Sequence, residues 1–230
     1  MKKLITFTAI LFSHVFAFSQ TEHKTFYDNG NPKIVGQFDE NGKCTGEWNY
    51  YLENGQLEKK GSFINQQQIG EWIFYKDGYL YNIAYFENGL IQTDKWFYPS
   101  GKKFALGFYK NGEKSGKWEY FEENGTVKLI ERYKNGKENG NCIWYFPDQK
   151  LACKGAYKNG LKTGKWKYYY ENGNLKNVSH YSKGKKNGKW KFYHENGTLS
   201  EIGKLKNGDK KGLWKFYDEQ GKLTETRNYD

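Results

Sequence analysis

Seven glycines stand two residues ahead of a tryptophan or its replacement: Gly46, Gly70, Gly116, Gly140, Gly164, Gly188 and Gly212. Successive gaps are 24, 46, 24, 24, 24 and 24 residues. A chain that repeats at such a period folds as a row of like units, each too small to bury its apolar face alone. The slot two residues on reads Trp48, Trp72, Trp96, Trp118, Cys142, Trp166, Trp190 and Trp214. The 46-residue gap holds one degenerate unit, two residues short, with Asp94 in the glycine place before Trp96. Cys142 replaces a tryptophan, and Trp144 takes the next aromatic slot of that unit. Lys24 falls in the same slot one unit upstream, so an atypical ninth unit opens the array.

Two turns punctuate each unit. The first is Asn-Gly or a relative, as at Asn29-Gly30, Asn54-Gly55, Ser100-Gly101, Asn124-Gly125, Asn172-Gly173 and Asn196-Gly197. The second is another, as at Asn41-Gly42, Asn111-Gly112, Asn135-Gly136, Asn159-Gly160 and Asn207-Gly208. Asn-Gly suits a hairpin because both central residues need positive φ. The stretches between turns are rich in Trp, Tyr and Phe, which favour strands. The expectation is all-β: an elongated, twisted, single-layer antiparallel sheet of tandem hairpins, about 24 residues per unit. Some 18 strands at about 4.8 Å each would make a sheet about 85 Å long.

Period two sorts side chains onto faces. Trp166, Tyr168 and Tyr170 fall together, as do Leu175, Asn177, Ser179 and Tyr181, while Lys167, Tyr169, Lys176, Val178 and His180 point away. Glycine recurs in the second strand at Gly61, Gly107, Gly155 and Gly203. A strand glycine leaves room for a ring to lie over the backbone. A two-residue turn at Asn159-Gly160 sets Gly155 opposite Gly164, and Gly203 likewise opposite Gly212. A ladder of stacked rings follows. The aromatic face is expected to comprise Trp48, Trp72, Trp96, Trp118, Trp144, Trp166, Tyr168, Trp190 and Trp214. One layer cannot wholly cover so many rings, and exposed apolar patches mark interaction sites.

The repeated sentence, seen in "YLENGQLEKKGSF" (Tyr51 to Phe63) and "FYKNGEKSGKW" (Phe108 to Trp118), resembles the MORN repeat in its bacterial variant form. That variant is often attached to proteins called YwqK-like antitoxins. The resemblance covers roughly Lys24 to Tyr229. It implies a single-layer sheet and non-enzymatic work: scaffolding, protein binding and contact with lipid head groups. The antitoxin label implies a partner protein whose activity is masked.

The chain's start points to export, a departure from an intracellular antitoxin. Lys2 and Lys3 precede an apolar run from Leu4 to Phe18, and Ala17-x-Ser19 supplies small residues for cleavage near Ser19-Gln20. This is the pattern of a signal peptide over 1–19, with one repeat domain over 20–230. Cys44, Cys142 and Cys153 match no metal pattern and, being odd in number, no disulfide framework. An exported chain permits a Cys142–Cys153 bond if one hairpin sets them face to face, which leaves Cys44 over.

No constellation for catalysis, cofactor binding or metal ligation is present. Beyond the apparent signal only His23, His180 and His194 remain. His194 stands where other units carry Tyr or Phe beside the turn, and His180 reads as a surface strand residue. Glu53, Glu171 and Glu195 all precede Asn-Gly, so the repeat explains them better than paired-carboxylate chemistry does. No phosphate loop or nucleophile elbow appears. Lysines gather at Lys102, Lys103, Lys185, Lys186, Lys210 and Lys211, read here as a basic rim along the second turns. Such a rim protects sheet borders. It also suits an anionic lipid surface, an envelope glycan or an acidic protein. Nucleic acid fits the charge and rings, but export disfavours it. The expected function is an exported, non-enzymatic scaffold that binds a protein through its aromatic face, with an antitoxin or immunity-like role as a finer reading. Binding of envelope glycan or anionic lipid is the alternative.

Overall fold

The computed structural model describes residues 21–230. The signal segment expected over 1–19 lies outside them. Twenty strand segments form one sheet, and helices are absent among the described residues. They are β1 (Thr21–Phe26), β2 (Pro32–Phe38), β3 (Cys44–Tyr51), β4 (Leu57–Ile64) and β5 (Gln67–Lys76). Next come β6 (Tyr79–Glu87), β7 (Leu90–Phe97), β8 (Lys103–Lys110), β9 (Glu113–Phe121) and β10 (Val127–Lys134). Then follow β11 (Lys137–Glu138), β12 (Gly140–Tyr145), β13 (Leu151–Lys158), β14 (Leu161–Tyr169) and β15 (Leu175–Ser182). The last are β16 (Lys185–Lys186), β17 (Gly188–Tyr193), β18 (Leu199–Lys206), β19 (Asp209–Tyr217) and β20 (Leu223–Tyr229).

Every pairing is antiparallel and joins neighbours in the chain. Segments β11 and β12 both pair with β10 and form one strand interrupted at Asn139, as β16 and β17 do at Asn187. The array is therefore the up-and-down meander that the turns imply. Asn88, Asn111, Asn135, Asn159 and Asn207 at the second turns all adopt positive φ, as does the glycine after each.

The register differs from the simple hairpin in two respects. Ala156 pairs with Thr163 and Lys154 with Lys167, so Gly164 to Trp166 bulge opposite Gly155 alone. Gly155 thus faces the Trp166 ring and not Gly164. Gly203 likewise faces Trp214, in the gap between the Ile202–Lys215 and Lys204–Lys211 pairs. Gly164 makes the bulge possible with φ +64. A second bulge, between Tyr168 and Tyr169, breaks the period of two, so Leu175 joins Val178 and His180 on the face opposite Trp166.

The core is a single file of rings. Trp72, Trp118, Trp166 and Trp214 are fully buried, and Trp48 and Trp190 nearly so. A Cβ at Gly61, Gly107, Gly155 or Gly203 would overlap the ring of Trp72, Trp118, Trp166 or Trp214. Each of those indoles donates its Nε1 proton to the carbonyl just past its glycine: Ser62, Phe108, Ala156 or Lys204, at 3.1–3.2 Å. Edge-on rings fill the remaining sides, such as Phe63 on Trp72 at 5.0 Å and Tyr157 on Trp166 at 5.1 Å. A well-placed pair of this kind adds about 0.5–1.5 kcal/mol beyond area burial.

Register also relocates three slots. Asp94 pairs with Gly107 just as Trp48 pairs with Gly61 and Trp190 with Gly203. Asp94 therefore takes the tryptophan slot itself, and Trp96 sits one aromatic slot further along, like Trp144 and Tyr168. His23, not Lys24, takes the slot in the opening unit, pairing with Gly36 and packing at 5.7 Å from Trp48. The cysteines do not face each other: Cys142 pairs with Gly155, and Cys153 with Trp144. All three thiols are free.

Candidate functional site

The two faces of the sheet differ in what they offer. On the tryptophan face the rings are covered by lysines. Lys114, Lys162, Lys186 and Lys210 hold their ammonium groups 3.8, 4.3, 4.9 and 4.2 Å from the ring centres of Trp118, Trp166, Trp190 and Trp214. Each contact stabilises by roughly 0.5–2 kcal/mol. The alkyl stems shield the ring while the charge stays wet. These lysines do the covering that a second layer would do elsewhere. In the first units the same slot carries Cys44 and Gln68, cross-strand from Phe38 and Phe63.

The expected aromatic platform is therefore an interior. Trp48, Trp72, Trp118, Trp166, Trp190 and Trp214 are buried and offer no contact area. Trp96 and Tyr168 are half-buried, and Trp144 alone of the set is exposed, at 37%. The expected basic rim divides as well. Lys186 and Lys210 cap rings, with Lys185 and Lys211 beside them at the second turns. Lys102 and Lys103 follow the first kind of turn, at Gly101, and so lie on the opposite border of the sheet, where Lys103 sits over Phe121 at 4.9 Å.

That opposite border has its own ladder. The hydroxyls of Tyr27, Tyr98 and Tyr170 donate to the carbonyls of Tyr51, Phe121 and Tyr193, one unit on. His194 plays the same part, its Nε2 lying 2.9 Å from the Tyr217 carbonyl. A carbonyl can only accept, so Nε2 carries the proton. This residue is a substituted tyrosine, as its place in the repeat suggested.

Two units carry acids on the tryptophan face, Asp94 buried and Glu131 half-buried. Asp94 accepts hydrogen bonds from Asn82 Nδ2, from Trp96 Nε1 at 2.7 Å and from the Tyr109 hydroxyl at 3.2 Å. Burial raises its pKa, against the pull of those donors and of Lys114. Glu131 accepts from the Tyr133 hydroxyl at 2.8 Å, and burial raises its pKa too. Burial and the nearby Glu131 push the Cys142 thiol up to about 12, leaving it protonated and inert.

The other face holds the exposed chemistry, and it changes along the chain. One transverse row crosses the sheet strand by strand. In the first half it reads Ile73, Ile83, Lys95, Leu106, Glu119 and Ile130. The lysines there have partners: Lys95 meets Glu71 at 3.8 Å, and neighbouring Lys117 meets Glu119 at 2.9 Å. Beside the row Tyr85 and Phe108 flank Thr93, 40% and 47% exposed. Further on the row reads Lys154, Lys167, Val178, Lys191, Ile202 and Lys215. Lys165, Lys189 and Lys204 stand next to it, and none of these seven lysines has an acidic partner within 4 Å among the described residues. Composition agrees. Residues 150–217 hold 17 lysines against four acids, whereas residues 21–149 hold 16 basic against 18 acidic residues. Sequence reasoning missed this segregation because it looked for lysines at turns, not for their common face.

Fold and faces together define a tandem β-hairpin repeat protein with one self-covered face and one open face. The family model described as MORN repeat variant matches residues 45–65, 95–111, 114–135, 162–183, 186–207 and 210–230, and the chain belongs to that family. The unmatched stretches between, 66–94 and 136–161, hold the Asp94 and Cys142 substitutions. No curated protein matches the chain. Among solved structures it is similar to the GtfA/B complex bound to UDP and GlcNAc, at 17% identity over 49% of this chain and 22% of that one, with a TM-score of 0.23. It is also similar to a Photorhabdus luminescens Tc holotoxin pore, at 14% identity over 91% of this chain and 13% of that one, with a TM-score of 0.25. The chain spans less than a quarter of the length of either.

Proposed function

We propose that this protein is a non-enzymatic β-repeat scaffold that binds a partner protein, and that the partner docks on the open face of β5 to β9. The observation that carries this reading is the pair of exposed rings, Tyr85 and Phe108, beside Ile83 and Leu106, where Lys95 and Lys117 are paired with acids. Rings and aliphatic side chains without net charge suit a protein surface, because their burial gains area without stranding a charge. The buried tryptophans lie on the opposite side of the sheet and do not touch the partner. The finer reading is that the partner is a toxin-like protein masked by the array, in an antitoxin or immunity-like role. Export through residues 1–19 belongs to the same proposal, and mass spectrometry of the native protein would find Gln20 at its N-terminus.

The test is cross-linking in the native cell with wild type and with a Tyr85→Ser, Phe108→Ser double variant. The proposal requires a stoichiometric protein recovered with wild type and lost with the variant, at unchanged thermal stability. Equal recovery by both would overturn it.

A further inference from the structure

The unpaired lysines of β13 to β19 have no structural task. The lysines over the rings stabilise the core, and Lys95 and Lys117 answer nearby acids. By contrast, Lys154, Lys165, Lys167, Lys189, Lys191 and Lys215 share one face without an acidic partner among the described residues, and where two stand directly opposite, as Lys154 and Lys167 do, like charges cost stability. The four acids of residues 150–217 are elsewhere: Glu171 and Glu195 at first turns, Asp209 at a second turn and Glu201 on the tryptophan face, where it meets Lys210 at 3.3 Å. A surface that concentrates one sign of charge without internal compensation is complementary to a ligand of the other sign.

The spacing narrows the ligand. Lys167, Lys191 and Lys215 fall on every second strand of one straight row, so they recur at about 10 Å. Val178 and Ile202 lie between them in the same row. A linear polyanion with a charge on every second sugar, and an apolar sugar face between charges, has this rhythm. Shallow recesses of about 410 and 320 Å³ open beside the row, and Tyr193 and Tyr217 line them. Tyrosine rings there can lie against sugar C–H faces. Single-stranded nucleic acid stacks its bases on successive rings, whereas here the tyrosines only border the row and Val178 and Ile202 stand between its lysines. Duplex reading needs an element that enters a groove, and no helix stands on this face among the described residues.

We propose that the open face of β13 to β19 binds an extended acidic polysaccharide bearing carboxylate or sulfate groups, laid across the strands along the Lys167–Lys191–Lys215 row. This site is separate from the apolar strip of β5 to β9, so either assignment can fail alone.

The test measures binding of fluorescent oligouronates of two to eight sugars, in which a uronate alternates with a neutral sugar, to the chain, with neutral dextran, oligo-dT and phosphatidylglycerol vesicles as competitors. Affinity should rise with oligomer length until the row is spanned, fall in moderate salt and resist neutral dextran. The triple variant Lys167→Gln, Lys191→Gln, Lys215→Gln should bind at least tenfold more weakly. A control with the same net charge, Lys158→Gln, Lys183→Gln, Lys206→Gln at the second-turn border, should bind within twofold of wild type. All six side chains are at least partly exposed, and thermal melts check that both variants fold. Should the triple variant melt early, Lys165→Gln with Lys189→Gln on the same face replaces it. Equal loss in the border control would overturn the proposal, reducing the effect to bulk charge. So would tighter binding of vesicles or oligo-dT than of oligouronate, or no preference over dextran.

Discussion

Two neighbouring hairpins of this sheet solve the same problem differently. In β13–β14 the backbone at Gly155 is bare, the Trp166 ring lies on it, and the indole donates to the Ala156 carbonyl. In β10–β12 the equivalent places hold Glu131 and Cys142. No ring lies there, so a side chain fits where glycine otherwise must. The Asn139 amide donates to the Arg132 carbonyl in the indole's stead, and the strand breaks. The unit of Ser179 and Trp190 is caught between. It keeps the ring but has lost the glycine. The Asn187 amide takes the His180 carbonyl, and Trp190 Nε1 is buried without a partner. Glycine and tryptophan thus act as one device split between two strands, and replacing one half strands the other.

The largest effect should come from breaking the intact device. Trp166→Ala is expected to cost about 3–5 kcal/mol, and hydrogen exchange should show the loss confined to β13–β15. In an array held by nearest-neighbour terms, distant units stay folded. Collapse of all units together would contradict that picture.

Next is the unit that put an acid in the ring's place. Asp94→Ala leaves the Trp96 and Tyr109 donors without an acceptor, while Asn82 Nδ2 keeps the Lys95 carbonyl, and should cost roughly 2–3 kcal/mol by denaturant unfolding, since each buried unsatisfied donor costs about 1–3 kcal/mol. Asp94→Asn tests the charge alone. The carboxyl's pKa is raised in the folded state, which therefore holds its proton where the unfolded chain has released it. Stability from this group is lost as pH rises from the ordinary carboxylate range through the raised value. Wild type should lose stability across that window relative to Asp94→Asn. Parallel curves for the two would show that Asp94 does not titrate this way.

The sharpest test of the comparison rebuilds the device. Cys142→Trp alone should be destabilising, because the ring meets Glu131. Paired with Glu131→Gly it should recover, with a coupling of roughly 0.5–3 kcal/mol between the two sites. Additive effects would mean that ring and glycine are independent. The smallest effect is expected at the hybrid unit. Ser179→Gly should let Trp190 settle as its neighbours do, for about 1 kcal/mol of net gain, visible as slower exchange of the indole proton.

The meander was legible because its causes are local. Asn-Gly turns and aromatic strands fix hairpins wherever they occur, and a period of 24 residues fixes how they stack. The part played by His194 could be read the same way, since one slot has one job. The lysine face was not legible, because it depends on which residues lie beside each other across strands.

The sequence by itself determined the repeat, the antiparallel order and the recurrence of bare glycine backbone among rings, since each follows from backbone conformations that few residues accept. Only the tertiary structure decided that the tryptophans are interior, that Asp94 and not Trp96 fills the vacant ring slot, and that the uncompensated charge lies on one face of β13 to β19. The physical reason is the bulge opposite each glycine. It sets three residues against one, so counting by twos along a strand loses the register that fixes cross-strand neighbours.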